Sequence, residues 1–287
     1  MPELPEVETT VCGLKKKVLK RTFLDVWTDF PNLVKKPDSF EKFKERIKNK
    51  KIENIWRKGK NIIFDLSENF SLLIHQKLTG HLIYGQWEKT ELGWIPKNKK
   101  IGEDPMNRFI HLIFWLDNGK QLALSDLRKF AKIELATKSE TEEGLKKVGP
   151  DFLEISLEDF EKRLKNKKGK IKQILMNQEV ISGVGNIYSD EALFLAKIHP
   201  LKETSKLAKE DFRAIYLSLK KILEMAIKYQ GSSVSDYRNI EGEKGGYSRF
   251  LKVYRRAGQK CFSCGSPIER LKIGGRSAHF CPKCQKK

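Results

Sequence analysis

The stretch CFSCGSPIERLKIGGRSAHFCPKC, residues 261–284, contributes most to defining the fold. It holds two Cys-x-x-Cys pairs, Cys261 with Cys264 and Cys281 with Cys284, and 16 residues lie between the pairs. Two such pairs supply the four thiolates of a tetrahedral zinc site, and a four-sulfur shell leaves no open position for a substrate. We therefore predict a C-terminal zinc finger that holds one structural zinc ion.

The finger also concentrates the positive charge of the chain. The whole sequence has 57 Lys or Arg against 37 Asp or Glu, whereas residues 244–287 contain 12 Lys or Arg and a single Glu. Such a concentration suits a polyanionic partner, and nucleic acid is the first choice. Gly274-Gly275 predicts the turn of a hairpin between the cysteine pairs. Arg276 would then lie near the hairpin tip, from which it could reach a duplex.

The positions of the cysteines and the lengths of the apolar runs indicate the cellular compartment of the protein. The chain has five cysteines, four of them in the finger, and its acidic, polar N-terminus shows no secretory signal. This pattern favours a reducing cytosol and a metal site over disulfides, and Cys12 is interpreted as an ordinary thiol. No apolar run is long enough to span a bilayer. We expect a cytoplasmic protein without a membrane partner.

Residues 1–140 predict a β-rich domain with flanking helices. Apolar residues at helical spacing predict a first helix over residues 5–20, and Asp117-Asn118-Gly119 predicts a hairpin turn. Residues 89–107 are polar and predict a loop. The strand-like runs cover residues 23–27, 52–56, 61–66, 71–74, 109–116 and 121–124.

The second half of the chain predicts helices followed by the finger. Gly149-Pro150 marks a boundary, so residues 141–155 are interpreted as a linker and residues 156–243 as a helical domain. Gly and Ser are frequent in residues 231–248, which predicts a mobile loop. With the finger at 244–287, the fold class is a multidomain α+β protein.

The N-terminus, Met1-Pro2-Glu3, carries a possible nucleophile. Removal of Met1 would expose a secondary amine on Pro2, with the carboxylate of Glu3 beside it. Such an amine attacks a sugar aldehyde carbon and condenses to an iminium, and it is partly unprotonated near neutrality. These residues are also compatible with an ordinary chain start, with Pro5 opening a helix.

Three internal motifs suggest contacts with nucleic acid, and each has an ordinary structural alternative. Residues 57–60, Arg-Lys-Gly-Lys, are either a phosphate site or a basic strand entry. Residues 126–130, Asp-Leu-Arg-Lys-Phe, are either a wedge into a base stack or a loop anchored by Phe130. Residues 183–188, Gly-Val-Gly-Asn-Ile-Tyr, are either a phosphate-binding helix start or a plain helix–loop–helix turn.

Taken together and in this order, the motifs resemble those of the formamidopyrimidine-DNA glycosylase family. The resemblance covers essentially the whole chain, from residues 2–9 to the zinc finger, and it includes the His75 to Gly80 loop. It implies an N-terminal two-layer β-sandwich with helices, a helix-two-turn-helix domain with a lesion-capping loop from residue 231, and a zinc finger. It also implies double-stranded DNA with oxidised bases or abasic sites as the partner, held between the lobes by a monomer associated with the nucleoid.

The resemblance also implies a chemistry. Pro2 would attack C1′ of a damaged nucleotide, the oxidised purine would leave, and successive β- and δ-eliminations would cut both sides of the sugar. Glu3 would protonate the opened sugar oxygen. The other implied site residues are Glu6, which would hold the inserted nucleotide; Lys60, Asn186 and Arg276, which would clamp phosphates; and Leu78, Arg128 and Phe130, which with the His75 loop would fill the gap left by the extruded base.

Two residues depart from the family pattern. The family usually has Met at the position of Leu78, and Lys77 beside it stands where an apolar residue, Gly or Arg is expected. Leucine is still an apolar wedge, although it is shorter and less adaptable. These departures bear on lesion search and opposite-base preference. They do not affect Pro2 or Glu3.

Two other functions remain as alternatives. The endonuclease VIII branch of the same family prefers oxidised pyrimidines, but the run Leu4-Pro5-Glu6-Val7-Glu8 favours the purine-specific branch. A non-catalytic zinc-finger protein that binds damaged DNA would need no free N-terminal amine, so Pro2 and Glu3 argue against it.

Overall fold

By its contacts, the chain divides into two units in the computed structural model, which describes residues 1–91, 93–234 and 236–286. The N-terminal unit comprises residues 1–146 and 229–246, and the C-terminal unit comprises residues 147–228 and 247–287.

The N-terminal unit contains four α-helices and eleven strands among the described residues. Its helices are α1 (Leu4–Val18), α2 (Phe40–Ile47), α3 (Lys99–Glu103) and α4 (Lys138–Leu145). Its strands are β1 (Phe23–Thr28), β2 (Val34–Lys36), β3 (Ile52–Lys58), β4 (Asn61–Leu66), β5 (Phe70–His75), β6 (His81–Gly85), β7 (Trp87–Thr90), β8 (Gly93–Pro96), β9 (Ile110–Leu116), β10 (Gln121–Ser125) and β11 (Lys132–Thr137).

Two sheets share one apolar core in this unit, as expected for the two-layer sandwich. The first sheet has the strand order β1-β9-β10-β6, and the second has the order β2-β11-β5-β4-β3. Alternate residues of both sheets are fully buried in one cluster together with the apolar face of α1. The predicted turn at Asp117-Asn118-Gly119 joins β9 to β10, and Gly119 has a φ of +71° there.

The prediction of a loop over residues 89–107 is wrong. This segment contains strand β8, most of the β7–β8 hairpin and helix α3. Trp87 and Ile101 are buried against the outer face of the first sheet, and Trp94 packs edge-on against Trp27 at 5.2 Å between ring centroids. The aromatic contacts with another part of the chain stabilise this segment despite its polar composition.

Residues 229–246 belong to the N-terminal unit by their contacts, whereas the sequence grouped residues 231–243 with the helical domain. Ile240 is part of the main core, and Arg238 forms a largely buried ion pair with Asp104, with 2.7 Å between Nε and Oδ2. Asn107 donates a 2.9 Å hydrogen bond to the carbonyl of Gly242. The described part of this segment is therefore anchored at several points, in contrast to the mobile loop that its composition predicted.

The C-terminal unit combines helices with a two-stranded hairpin. Its elements are α5 (Leu157–Lys165), α6 (Ile171–Met176), α7 (Asn186–Leu195), α8 (Lys209–Lys228), β12 (Glu269–Ile273) and β13 (Arg276–Phe280). Helix α8 buries an apolar stripe that includes Ile215 and Leu219. Gly274 and Gly275 have φ angles of +52° and +78°, which fits the predicted turn between β12 and β13.

Within the described ranges, none of the helices combines the length and the apolar character needed to cross a bilayer.

Candidate active site

The two residues predicted to carry the chemistry lie immediately before α1. Pro2 and Glu3 are both buried, and Glu3 is the N-cap of the helix in a reciprocal capping box with Glu6. The Glu3 backbone N–H donates to Glu6 Oε2 at 2.8 Å. This pairing satisfies backbone donors that a helix start leaves open, and it fixes the backbone of Glu3.

The environment of the N-terminus favours an unprotonated amine. Burial lowers the pKa of the α-amino group of Met1, while the nearby carboxylates of Glu3 and Glu6 act in the opposite direction and Lys60 assists the lowering. An amine must be neutral to act as a nucleophile. After removal of Met1, the Pro2 amine would lie at the next position of the chain, and we expect desolvation to act on it in the same direction.

Lys60 is brought to this end of the N-terminal unit by the tight turn between β3 and β4. Gly59 takes a positive φ of +58° at the turn, and the Lys60 side chain is largely buried. Arg57 holds the turn, because it donates to the Gly59 carbonyl at 3.0 Å and pairs with Glu8 at 2.8 Å. From this position the positive charge of Lys60 acts on the N-terminal amine and helps to lower its pKa.

Glu6 connects the start of α1 to the segment after α8. Its Oε1 accepts the Ser232 backbone N–H at 2.7 Å, and its backbone carbonyl accepts the Tyr237 hydroxyl at 3.2 Å. Gly231 has a φ of +83°, and a Cβ added to it would meet Glu6 Cγ at 2.9 Å, so a larger residue does not fit there. Sequence reasoning missed Ser232, because no local pattern reports a contact across more than 200 residues.

Two loops of the N-terminal unit carry the predicted wedge residues. We call residues 75–80 the first wedge loop and residues 126–131 the second wedge loop. Leu78 is partly exposed in the first loop, whereas Phe130 is 48% exposed in the second. The Arg128 guanidinium lies over the Phe130 ring at 4.6 Å from its centroid. Phe130 therefore does not anchor its loop in the core. Leu127, which sequence reasoning missed, is 45% exposed beside it.

His75 is held neutral by its surroundings. Burial, together with the positive charges of Lys77 and Lys60, lowers the pKa of the imidazole to about 3. Its Nδ1 accepts the Lys77 backbone N–H at 3.0 Å. This bond requires an unprotonated Nδ1, and it supports the left-handed conformation of Lys77, with a φ of +56°.

We expect the stability of the protein to fall as the pH drops from about 6.5 towards 3, in part because of His75. In this range the imidazole takes up a proton in the unfolded protein but not in the folded one. The free energy of unfolding therefore falls by up to about 1.4 kcal/mol per pH unit as the pH drops. Urea melts at pH 7, 6 and 5 will test this against His75→Asn, which keeps an acceptor at the same place. The wild-type protein should lose more stability than the variant. Equal losses in the two proteins would contradict the prediction.

The C-terminal unit carries the other two predicted phosphate ligands. Asn186 begins α7 directly after the buried Gly185, and its Oδ1 is buried without a hydrogen-bond partner among the described residues. Arg276 is exposed at the first position of β13, beside the Gly274-Gly275 turn. Both residues thus stand at positions suited to anion binding, a helix N-terminus and a hairpin tip.

A buried charged network joins α6, α7 and the finger within this unit. Lys172 pairs with Asp190, and both side chains are essentially inaccessible. The other carboxylate oxygen of Asp190 accepts the backbone N–H of His279 at 2.9 Å and lies 3.0 Å from its Nδ1. Sequence reasoning missed this network, although a lysine next to Ile171 and close to Ile174 and Leu175 is a signal of a buried partner.

The four predicted zinc ligands converge. The Sγ atoms of Cys261, Cys264, Cys281 and Cys284 all lie within 4.8 Å of one another. The Cys264–Cys281 and Cys261–Cys284 separations are 3.4 and 3.9 Å. These are too long for disulfides and near the edge of about 3.8 Å for a tetrahedron with Zn–S bonds of about 2.3 Å. The cluster therefore fits one structural zinc ion.

Three family models match the chain in the order of its parts. The formamidopyrimidine-DNA glycosylase N-terminal domain matches residues 1–133, the H2TH domain of the same glycosylase matches residues 148–238, and the zinc finger found in FPG and IleRS matches residues 258–287.

Similar proteins match over almost their whole length. The formamidopyrimidine-DNA glycosylase of Pelotomaculum thermopropionicum is 37% identical, with 100% of this chain and 99% of that protein covered. That of Oceanobacillus iheyensis is 36% identical, with 99% and 98% covered. Lactococcus lactis Fpg in complex with DNA containing an abasic site is 34% identical with a TM-score of 0.86, covering 99% of this chain and 100% of that one. A complex of the same protein with DNA containing Fapy-dG is 34% identical with a TM-score of 0.85 and the same coverage. The chain therefore belongs to the formamidopyrimidine-DNA glycosylase family.

Proposed function

We propose that this protein is a bifunctional DNA glycosylase and AP lyase of base excision repair, which removes oxidised purines such as 8-oxoguanine and formamidopyrimidines from double-stranded DNA. The observation that carries the proposal is the buried N-terminus, where Pro2 and Glu3 are fixed at the start of α1 and desolvation lowers the pKa of the terminal amine. We expect the protein to act as a monomer in the cytoplasm, on chromosomal DNA.

The proposed reaction begins after an aminopeptidase removes Met1. The lone pair of the Pro2 nitrogen attacks C1′ of the damaged nucleotide, and the C1′–N bond to the base breaks. The base leaves with the electron pair of that bond and takes up the proton that the Pro2 nitrogen loses. Glu3 then protonates the ring oxygen, so that the sugar opens and the Pro2 nitrogen forms an iminium with C1′. The iminium acidifies the proton on C2′, and loss of that proton expels the 3′ phosphate. The conjugated iminium then acidifies the proton on C4′, and loss of that proton expels the 5′ phosphate.

The other site residues are proposed to hold the DNA in place. Lys60, Asn186 and Arg276 would contact the phosphates around the extruded nucleotide, and Glu6 would support the inserted nucleotide through the segment that it anchors. Extruding a base costs a few kcal/mol, and side chains that fill the gap offset this cost. Leu78, Arg128 and Phe130, on the two wedge loops, are proposed to fill it.

Borohydride trapping tests the proposal directly, because borohydride reduces an iminium to a stable covalent bond. Mature, untagged protein is mixed with a duplex that contains 8-oxoguanine opposite cytosine, and the adduct is resolved on a denaturing gel. We expect a trapped complex that disappears in Pro2→Gly and in protein with a blocked N-terminus.

Other outcomes would identify the alternative functions. An adduct formed only on a duplex with an oxidised pyrimidine would contradict the purine preference and indicate the endonuclease VIII type. No adduct on either duplex, with loss of Met1 confirmed by mass spectrometry, would contradict the lyase mechanism and leave a damage-binding protein.

A further inference from the structure

The two wedge loops lie side by side because of the topology of the sandwich. The first wedge loop runs from β5 of the second sheet to β6 of the first, and the second wedge loop returns from β10 of the first sheet to β11 of the second. The strands that flank them are paired on both sides, since His75 is opposite Lys132 and His81 is opposite Ser125. Both loops therefore cross between the sheets at the same edge of the unit.

Asp126 and Thr79 join the two loops through buried hydrogen bonds. Asp126 is fully buried, Thr79 is 5% exposed, and the Thr79 hydroxyl donates to Asp126 Oδ1. The backbone N–H of Arg128 is shared between Thr79 Oγ1, at 3.1 Å, and Asp126 Oδ1, at 3.4 Å. These contacts connect the residue that follows Leu78 directly to the backbone of Arg128.

The same carboxylate also fixes the far end of the second wedge loop. Asp126 Oδ2 accepts the Ala131 backbone N–H at 2.8 Å, and the Asp126 carbonyl accepts the N–H of Lys129 at 3.0 Å. Lys129 takes a positive φ of +55°, which a non-glycine residue adopts only with support from its surroundings. The backbone N–H groups of Arg128, Lys129 and Ala131 are thus bonded on the buried side of the loop, whereas Leu127 and Phe130 are 45% and 48% exposed.

We propose that Thr79 and Asp126 are positioning residues that make the two wedge loops enter the duplex as one preformed body. The proposal rests on the proposed function, since it takes Leu78, Arg128 and Phe130 as the groups that replace the extruded base. Two independent loops would each lose conformational entropy when they bind DNA. Loops that are already ordered in the free protein lose less, so binding has a smaller entropic cost. Neither Thr79 nor Asp126 needs to touch DNA.

The test compares Thr79→Val, which removes the hydroxyl at nearly constant volume, with Thr79→Ser, which keeps it. Single-turnover base excision is measured on the 8-oxoguanine duplex, and wedge insertion is followed by the fluorescence of 2-aminopurine placed beside the lesion. We expect Thr79→Val to lower the rate of base excision and the rate of wedge insertion by roughly tenfold each. This factor corresponds to the loss of one ordinary hydrogen bond. Thr79→Ser should remain within about twofold of the wild-type rate because the bond is retained.

Cleavage at a preformed abasic site distinguishes positioning from a general loss of structure. An abasic nucleotide has no base to unstack, so this rate should change far less than the excision rate in Thr79→Val. Asp65→Asn is the matched control, because Asp65 also accepts side-chain hydrogen bonds from Trp56 and Asn54, and none of its hydrogen bonds in the described part of the chain reaches a wedge loop. All rates are measured at a temperature at which circular dichroism shows folded protein. If Thr79→Val does not fold, Asp126→Asn is used in its place, and the same two rates are compared.

Three results would overturn the inference. They are wild-type rates in Thr79→Val, equal losses of excision and of abasic-site cleavage in Thr79→Val, or an excision rate in Thr79→Ser as low as that of Thr79→Val. Failure of the proposed function would look different, because the wild-type protein itself would then neither excise 8-oxoguanine nor cleave the abasic duplex. If Leu78→Ala and Phe130→Ala slow excision but Thr79→Val and Asp126→Asn do not, the wedge is retained and the coupling of the loops is rejected.

Discussion

Replacing Glu3 by Gln is expected to slow base excision by roughly 10²- to 10⁴-fold, the usual contribution of a positioned acid or base. The carboxylate lies at the N-cap of α1, almost completely buried, and its charge acts on the N-terminal amine. A glutamine has nearly the same shape and still offers an oxygen to the helix start, so the capping box should survive. It cannot transfer a proton to the opening sugar.

The measurement is single-turnover excision of 8-oxoguanine together with the affinity for a duplex that contains a stable abasic analogue. We expect the affinity to stay within about threefold, since the phosphate contacts that dominate binding are untouched. Glu140→Gln is the control, because it makes the same Glu→Gln change in a capping box of the same unit, at the N3 position of α4, but on an exposed surface. A Glu3→Gln protein that excises the base at the wild-type rate would exclude Glu3 as the proton donor.

The elements that the sequence predicted well are those whose signals are local. The stripe Val7, Val11, Leu14 and Val18 predicted α1, and all four residues are buried. The turns at residues 117–119 and 274–275 depend on glycine at positive φ, which a short sequence reports directly. The four cysteines converge because two tight Cys-x-x-Cys turns need only one hairpin to bring them together.

What the sequence could not provide are contacts between distant segments. Thr79 and Asp126 are 47 positions apart, and Glu6 and Ser232 are 226 apart. Spacing contains no information about such pairs, because they depend on how the strands are ordered in the two sheets. The structure of the polar segment 89–107 escapes prediction for the same reason, since Trp94 packs against Trp27 and Trp115 elsewhere in the chain.

Lys172→Met is expected to destabilise the protein by about 3–5 kcal/mol, because it leaves the buried carboxylate of Asp190 without its cation. The pair is inaccessible to solvent, and Lys172 also lies 3.3 Å from Ser189 Oγ and 3.4 Å from the Asn186 carbonyl. For a unit of this size the melting temperature should fall by roughly 10 °C or more. Calorimetry of the zinc-loaded protein measures the change.

Lys170→Met is the matched control, since it removes the same type of side chain two positions earlier. Lys170 pairs with Glu203 at the surface, where the side chains are 38% and 35% exposed, and such pairs contribute at most about 1 kcal/mol. The double variant Lys172→Met, Asp190→Asn should be more stable than Lys172→Met alone, because it leaves no uncompensated charge buried. Equal effects of the two lysine variants, or simple additivity in the double variant, would show that the Lys172–Asp190 pair does not hold α6 to α7 in the way that the geometry indicates.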